Sequence, residues 1–155
     1  RAHVPDADPE RPGTGAAGGL GFAFMTFLKA RLESGAGIVL QETKLEEYIR
    51  DADLVVTGEG RLDAQTVMGK APAGVAHLAK KYGRPVIAFS GAVTDDAVLC
   101  NKEGIDAFFP IIRKIISLDE ATDREHARVN MMMTSEQVFR LIHTILNLAE
   151  SPVKK

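Results

Sequence analysis

The sequence predicts an α/β fold: a parallel sheet covered by helices on both faces. Three observations carry this. Residues 53–57, 85–89 and 107–111 are short runs dominated by apolar, β-branched or aromatic side chains. Segments with helical periodicity separate them. Strands that are apolar on both faces need cover on both faces, which makes the arrangement three-layered and Rossmann-like.

Each element has its own warrant. Residues 1–12 carry Pro5, Pro9 and Pro12 and no periodicity, so they read as a linker. Apolar residues at 20, 24, 27, 28 and 32 predict a helix over about 16–32, stopped by the Gly35 to Gly37 segment. Ile38, Val39 and Leu40 suggest a short strand. Thr43 to Glu46 has the form of a capping box opening a helix to about Asp51. After the 53–57 strand a loop is expected over 58–69. Pro72 then opens a helix that Gly83 closes. A short helix over 95–102 ends at Gly104. Ser117 to Glu120 is a second capping box, and the chain to about Ala149 reads as helical, with a break near Asn130. The domain boundary falls near Asp51, where regular β–α alternation begins. A tail follows at 151–155.

Composition narrows the function. The chain has 155 residues, 45% hydrophobic and 26% charged, with a formal net charge of -2. That supports a packed core and argues against nucleic acid or an anionic membrane surface as the main partner. The long uncharged stretch 12–28 is too glycine-rich to span a bilayer, and no secretion signal is visible. A lone cysteine, Cys100, fits a reducing, cytoplasmic setting and a structural role. The histidines at 3, 77, 126 and 143 form no metal-ligand pair. The chain starts at Arg1 rather than Met, which suggests a fragment of something longer.

Ligands of open parallel sheets bind beyond the carboxyl ends of the strands. The segment after the first strand is the richest in chemistry. Glu59, Arg61 and Asp63 alternate with small or apolar residues there, flanked by Gly58 and Gly60. Arg61 can clamp a carboxylate or phosphate. Glu59 or Asp63 can hold Mg²⁺ beside substrate phosphates or take a hydroxyl proton. Lys70 leads into a helix start that favours anions, but the spacing around Gly69 is not that of a P-loop. The segment after the second strand, Ser90 to Asp95, is a second candidate place, although Ser90 lacks a nucleophile-elbow context. Gly13, Gly15 and Gly18 match G-x-G-x-x-G. No strand precedes them, so the dinucleotide reading fails and an anion held by backbone N–H groups is what remains. Met131 to Met133 read as helix packing.

Together these pieces resemble one family, the class I glycerate kinases of bacteria. The resemblance rests on the 12–21 glycine segment, on residues 52–63, on Gln65-Thr66 with Gly69-Lys70-Ala71-Pro72 and Gly74-Val75-Ala76, and on residues 86–91. It implies ATP-dependent phosphorylation of D-glycerate to 2-phosphoglycerate with Mg²⁺. It also implies a two-domain kinase of which this is the carboxyl-terminal portion. Residues 13–50 would end an inserted domain, and 51–150 would form the second half of a Rossmann-like outer domain. The site expected is Glu59, Arg61 and Asp63 as catalytic residues, with Arg61, Gln65, Thr66, Lys70 and Ser90 on substrate. Gly15, Gly18 and Gly19 form the phosphate or anion loop, and Glu59 and Asp63 the metal ligands. Expected partners are D-glycerate and ATP, with no nucleic acid or membrane, and a homodimer is the assembly to test. The other readings are a non-enzymatic module that binds a carboxylate or sugar acid, and a nicotinamide-dependent oxidoreductase.

Overall fold

In the computed structural model, residues 7–150 are described; the first half of the linker expected over 1–12 and all of the 151–155 tail lie outside that span. The chain divides into two compact units, the first running to Ile38 and the second starting at Val39.

The first unit holds helix α1, Ala16–Leu28. Its opening turn is not right-handed: Ala17, Gly18 and Gly19 have φ of 50°, 67° and 95°. Only after this glycine-permitted bend does a regular helix run on. It stops at Lys29, whose φ is 53° and whose N–H caps the Phe24 carbonyl, a few residues short of the expected end at 32.

Helix α2, Gly35–Glu42, replaces the strand expected at Ile38 to Leu40. Ser34 explains the outcome. Its carbonyl accepts the Ile38 N–H at 3.0 Å and its hydroxyl the Gly37 N–H at 3.4 Å, closing a first helical turn. A short apolar run is ambiguous by periodicity alone, and here local capping decides it. The box at Thr43 also behaves differently from expectation. The Thr43 hydroxyl donates back to the Val39 carbonyl at 2.7 Å and so finishes α2. Helix α3, Leu45–Arg50, starts instead from Lys44 at φ 52°.

The sheet has three parallel strands in the order β1 (Val55–Leu62), β2 (Val86–Val93) and β3 (Ala107–Pro110). Between them lie α4, Ala71–Lys80, and α5, Leu99–Lys102. Two clusters sandwich the sheet. One joins Val55, Val86 and Ala88 to Ile49, Ala76, Ala79, Ala97, Cys100 and Ile105. The alanines of α4 bring that helix close to the strands. The other joins Ile87 and Phe89 to Ile111 and Val138, with Phe109 tilted against Phe89 at 5.8 Å. Gly83 (φ 64°) and Gly104 (φ 96°) end their helices in the left-handed conformation expected of them.

Strand β1 is longer than the sequence suggested. It pairs with β2 from Val55↔Val86 to Leu62↔Val93, so the expected loop after Thr57 is strand as far as Leu62. Two glycines lie where the neighbouring strand leaves no room for a side chain. A Cβ on Gly58 would lie 2.2 Å from the Phe89 carbonyl oxygen, and one on Gly91 2.6 Å from that of Gly60.

After β3 come α6, Leu118–Thr122, and α7, Arg124–Glu150. Ser117 caps α6 by accepting the Glu120 N–H at 3.2 Å, as its box predicted. The helical stretch breaks at Asp123 rather than near Asn130, because Asp123 accepts the His126 N–H at 2.9 Å and opens a new helix. Of the apolar stripe on α7, Val138 is buried, whereas Leu141, Ile145 and Leu146 are more than half exposed. A helix of 27 residues is ~40 Å long, and an eight-residue strand is about 27 Å. The helix therefore overhangs the sheet.

Two stability tests follow from this packing. Gly58→Ala forces β1 away from Phe89 and should lower the unfolding free energy by roughly 2–4 kcal/mol in urea titration; an unchanged midpoint refutes the close approach. Asp106 accepts bonds from Lys80 Nζ and from the Val86 N–H, both at 2.6 Å. Burial pushes its carboxyl up, but those two donors outweigh burial and hold it below 3.8. Its contribution is therefore complete above that value and disappears as pH falls through the lower, folded one. The stability gap between the parent and Asp106→Asn should narrow progressively as pH falls below the ordinary carboxylate range; a gap independent of pH contradicts the assignment.

Candidate functional site

The carboxyl ends of β1 and β2 carry the chemistry. Glu59 and Arg61 project from the last residues of β1, and Asp63 follows the strand directly. Thr66 opens a 3-10 turn, Thr66–Met68, and Lys70 is the N-cap of α4. Chain geometry thus folds five of the expected residues into one cluster. Lys70 Nζ stands 3.4 Å from Asp63 Oδ1 and 3.8 Å from Glu59 Oε2. Arg61 Nε is 3.6 Å from Asp63 Oδ2. The Thr66 hydroxyl donates to Glu59 Oε1.

Burial separates the members. The Glu59 and Asp63 side chains are each 19% exposed and Lys70 38%, whereas Arg61 is 65% exposed. A contact as open and as long as Arg61–Asp63 is weakly held, so the guanidinium is available to an incoming anion. Asp63 is fixed more firmly. Burial pushes its carboxyl up, but the Gln65 N–H at 2.9 Å, then Lys70 and Arg61, hold it below the ordinary carboxylate value. It stays an anion at neutral pH.

An open groove of ≈ 460 Å³ lies beside this cluster, lined by Arg61, Asp63 and Gln65 from β1's end and Thr94, Asp95 and Asp96 from β2's end. Thr94 and Asp95 fall in the second candidate segment without an assigned role, and Asp96 lies one residue beyond it. Their signal was available in sequence, since they follow the second buried strand. The remaining candidates are placed differently. Ser90 is buried; its hydroxyl accepts the Leu62 N–H at 3.0 Å and donates to the Ala92 carbonyl at 2.6 Å. It braces the strand ends, and its one proton is already given to the Ala92 carbonyl. Thr66 is fully buried as well. Gly15, Gly18 and Gly19 belong to the first unit, where Gly15 precedes α1 and the other two form its left-handed opening turn.

The donor set bears on the Mg²⁺ expectation. Glu59 Oε1 accepts a hydrogen bond from the Thr66 hydroxyl, and Asp63 Oδ1 accepts one from the Gln65 N–H and lies within reach of Lys70. The ammonium therefore already sits between the two carboxylates where a cation would. Among the described residues no group of three or more His, Cys, Asp or Glu side chains is placed to hold a metal. The pair does not fit a ready-made protein metal cage. It fits a lysine-neutralised acid pair.

A parallel sheet with helices on both faces and an acid–cation cluster at its strand ends defines an α/β domain of the open-sheet class. Comparison with known proteins gives the particular lineage. The glycerate kinase family model matches residues 2–143, and the chain belongs to that family. It is 54% identical over 110 residues to the glycerate 2-kinase of Escherichia coli K12, covering 71% of this chain and 29% of that protein. It is 46% identical over 126 residues to the glycerate kinase of Bacillus subtilis 168, covering 81% of this chain and 32% of that one. The crystal structure of a "putative glycerate kinase 2" from Salmonella typhimurium LT2 matches at 40% identity and a TM-score of 0.59, over 85% of this chain and 33% of that one. The chain thus spans about a third of the length of these relatives. Among the described residues, no helix is long and apolar enough to cross a membrane.

The lysine-neutralised pair makes a direct prediction. Lys70→Met leaves two carboxylates without their cation, and Mn²⁺ affinity, read by titration calorimetry, should rise roughly tenfold or more over the parent. Equal Mn²⁺ binding in both proteins contradicts the arrangement.

Proposed function

We propose that this chain is the carboxyl-terminal portion of a glycerate kinase that moves the terminal phosphoryl group of ATP to D-glycerate, giving 2-phosphoglycerate. The observation that carries the reading is the cluster of Glu59, Arg61, Asp63 and Lys70 at the strand ends, in a chain of the glycerate kinase family.

The geometry suits the chemistry. Glycerate brings one carboxylate and two hydroxyls. Exposed Arg61 offers two parallel donors to the carboxylate or to a phosphate. Lys70 offers a compact positive charge to the moving phosphoryl group, whose transfer depends mostly on positioning and charge. Asp95 and Asp96 line the other side of the groove, and their charge directs an anion toward the Arg61 side.

The two acids divide their roles. Asp63 is held as an anion by donors on both sides and so makes a poor proton acceptor; it positions Lys70 and Arg61. Glu59 has one oxygen held by Thr66 and the other 3.8 Å from Lys70, beyond hydrogen-bond length. Glu59 Oε2 therefore takes the proton of the attacking hydroxyl. The hydroxyl oxygen forms the new bond to phosphorus, the bond to the bridging oxygen breaks, and ADP leaves with that electron pair. Mg²⁺ would serve such a transfer by shielding nucleotide phosphate charge. The acid pair is not arranged to hold it, so the phosphates are its natural carrier.

The test is a coupled ADP-release assay with D-glycerate, run on this chain and on the longest natural form of the protein. Glycerate-dependent ADP formation is expected from the longest form. Arg61→Ala should lower kcat/KM for glycerate at least about tenfold. Activity within about threefold of the parent overturns Arg61's role.

A further inference from the structure

The Thr66 hydroxyl is engaged both as donor and as acceptor inside the cluster. A threonine hydroxyl has one proton to give and lone pairs to accept with. Its proton goes to Glu59 Oε1, and its oxygen accepts the Asp63 N–H at 3.2 Å. Its own backbone N–H donates to the Asp63 carbonyl at 3.0 Å, which fixes the turn that carries it. The residue is fully buried, so its hydroxyl is shielded from any molecule in the groove.

We propose that Thr66 is a positioning residue for phosphoryl transfer: its hydroxyl fixes the orientation of the Glu59 carboxylate, so that Oε2 faces the reacting hydroxyl. The proposal rests on the kinase reading above, and it moves Thr66 from the substrate contacts to the layer behind them. A carboxylate attached through its terminal torsion turns easily unless one oxygen is held. Without the Thr66 proton, Glu59 is free to turn and close the 3.8 Å gap to Lys70. The Asp63 N–H loses its acceptor at the same time. One hydroxyl therefore registers both acids against each other.

Steady-state kinetics in the longest natural form of the protein test this, with thermal melts of each variant alongside. Thr66→Val should lower kcat about 10- to 100-fold while KM for glycerate stays within about threefold. Thr66→Ser restores the hydroxyl and should recover at least about a third of the parent kcat. In a Glu59→Gln background Thr66→Val should cost less than about twofold more, because the two residues act as one unit. A tenfold rise in KM with kcat intact makes Thr66 a substrate contact and overturns the proposal. So does an undiminished loss in the Glu59→Gln background, or parental kinetics in Thr66→Val. If Glu59→Gln itself has parental activity, the Glu59 reading fails and the proposal with it. If Glu59→Gln is impaired but Thr66→Val is silent, only the proposal fails. Should Thr66→Val melt below the assay temperature, Thr66→Ala against Thr66→Ser makes the same comparison.

Discussion

The pairing of β1 with β2 controls what this chain can present to a ligand. Gly58 and Gly91 let the two strands approach more closely than any side chain would allow at those positions. Ser90 then ties the Leu62 N–H and the Ala92 carbonyl together at the strand ends. A shift of either strand by one residue would turn side chains to the opposite face, so this register decides whether Glu59 meets Thr66 and Lys70 at all. The acids are accurate in position because the ladder beneath them is stiff. That is the usual division of labour in a site built on sheet elements.

The electrostatic design follows from it. Two carboxylates at a strand end would repel each other and push one toward protonation. Lys70, delivered by the start of α4, sets a positive charge between the two acids, beside an exposed guanidinium. The cluster thus combines an internal, partly buried balance with one external cation. Under the proposed function an anionic ligand would meet Arg61, the most exposed member, first.

Much of this could be read from the residues. The three strands, the helix stops at Gly83 and Gly104, the cap at Ser117 and the grouping of Glu59, Arg61 and Asp63 all follow from local patterns that the fold respects. What could not be read depended on partners distant in sequence. Gly58 resembled a turn residue because its reason for being glycine, the Phe89 carbonyl, lies on another strand. Ile38 to Leu40 resembled a strand because three apolar residues carry no period; Ser34 decided otherwise. Thr66 and Ser90 resembled ligand contacts because a sequence shows a hydroxyl but not its burial. The α7 stripe was placed correctly on a helix, but its exposure depends on how wide and long a sheet stands opposite.

Cys100 lies fully buried in the same cluster that packs α4 and α5 on the sheet. Burial, and then the charges of Glu59 and Asp63, push its thiol up, so the nucleophilic thiolate is scarce in the folded chain. Alkylating reagents can reach this sulfur only when the helices on that face part from the strands. The lone thiol is in this way a native probe of breathing beneath the acid pair, one whose labelling rate reports how often the floor of the site opens.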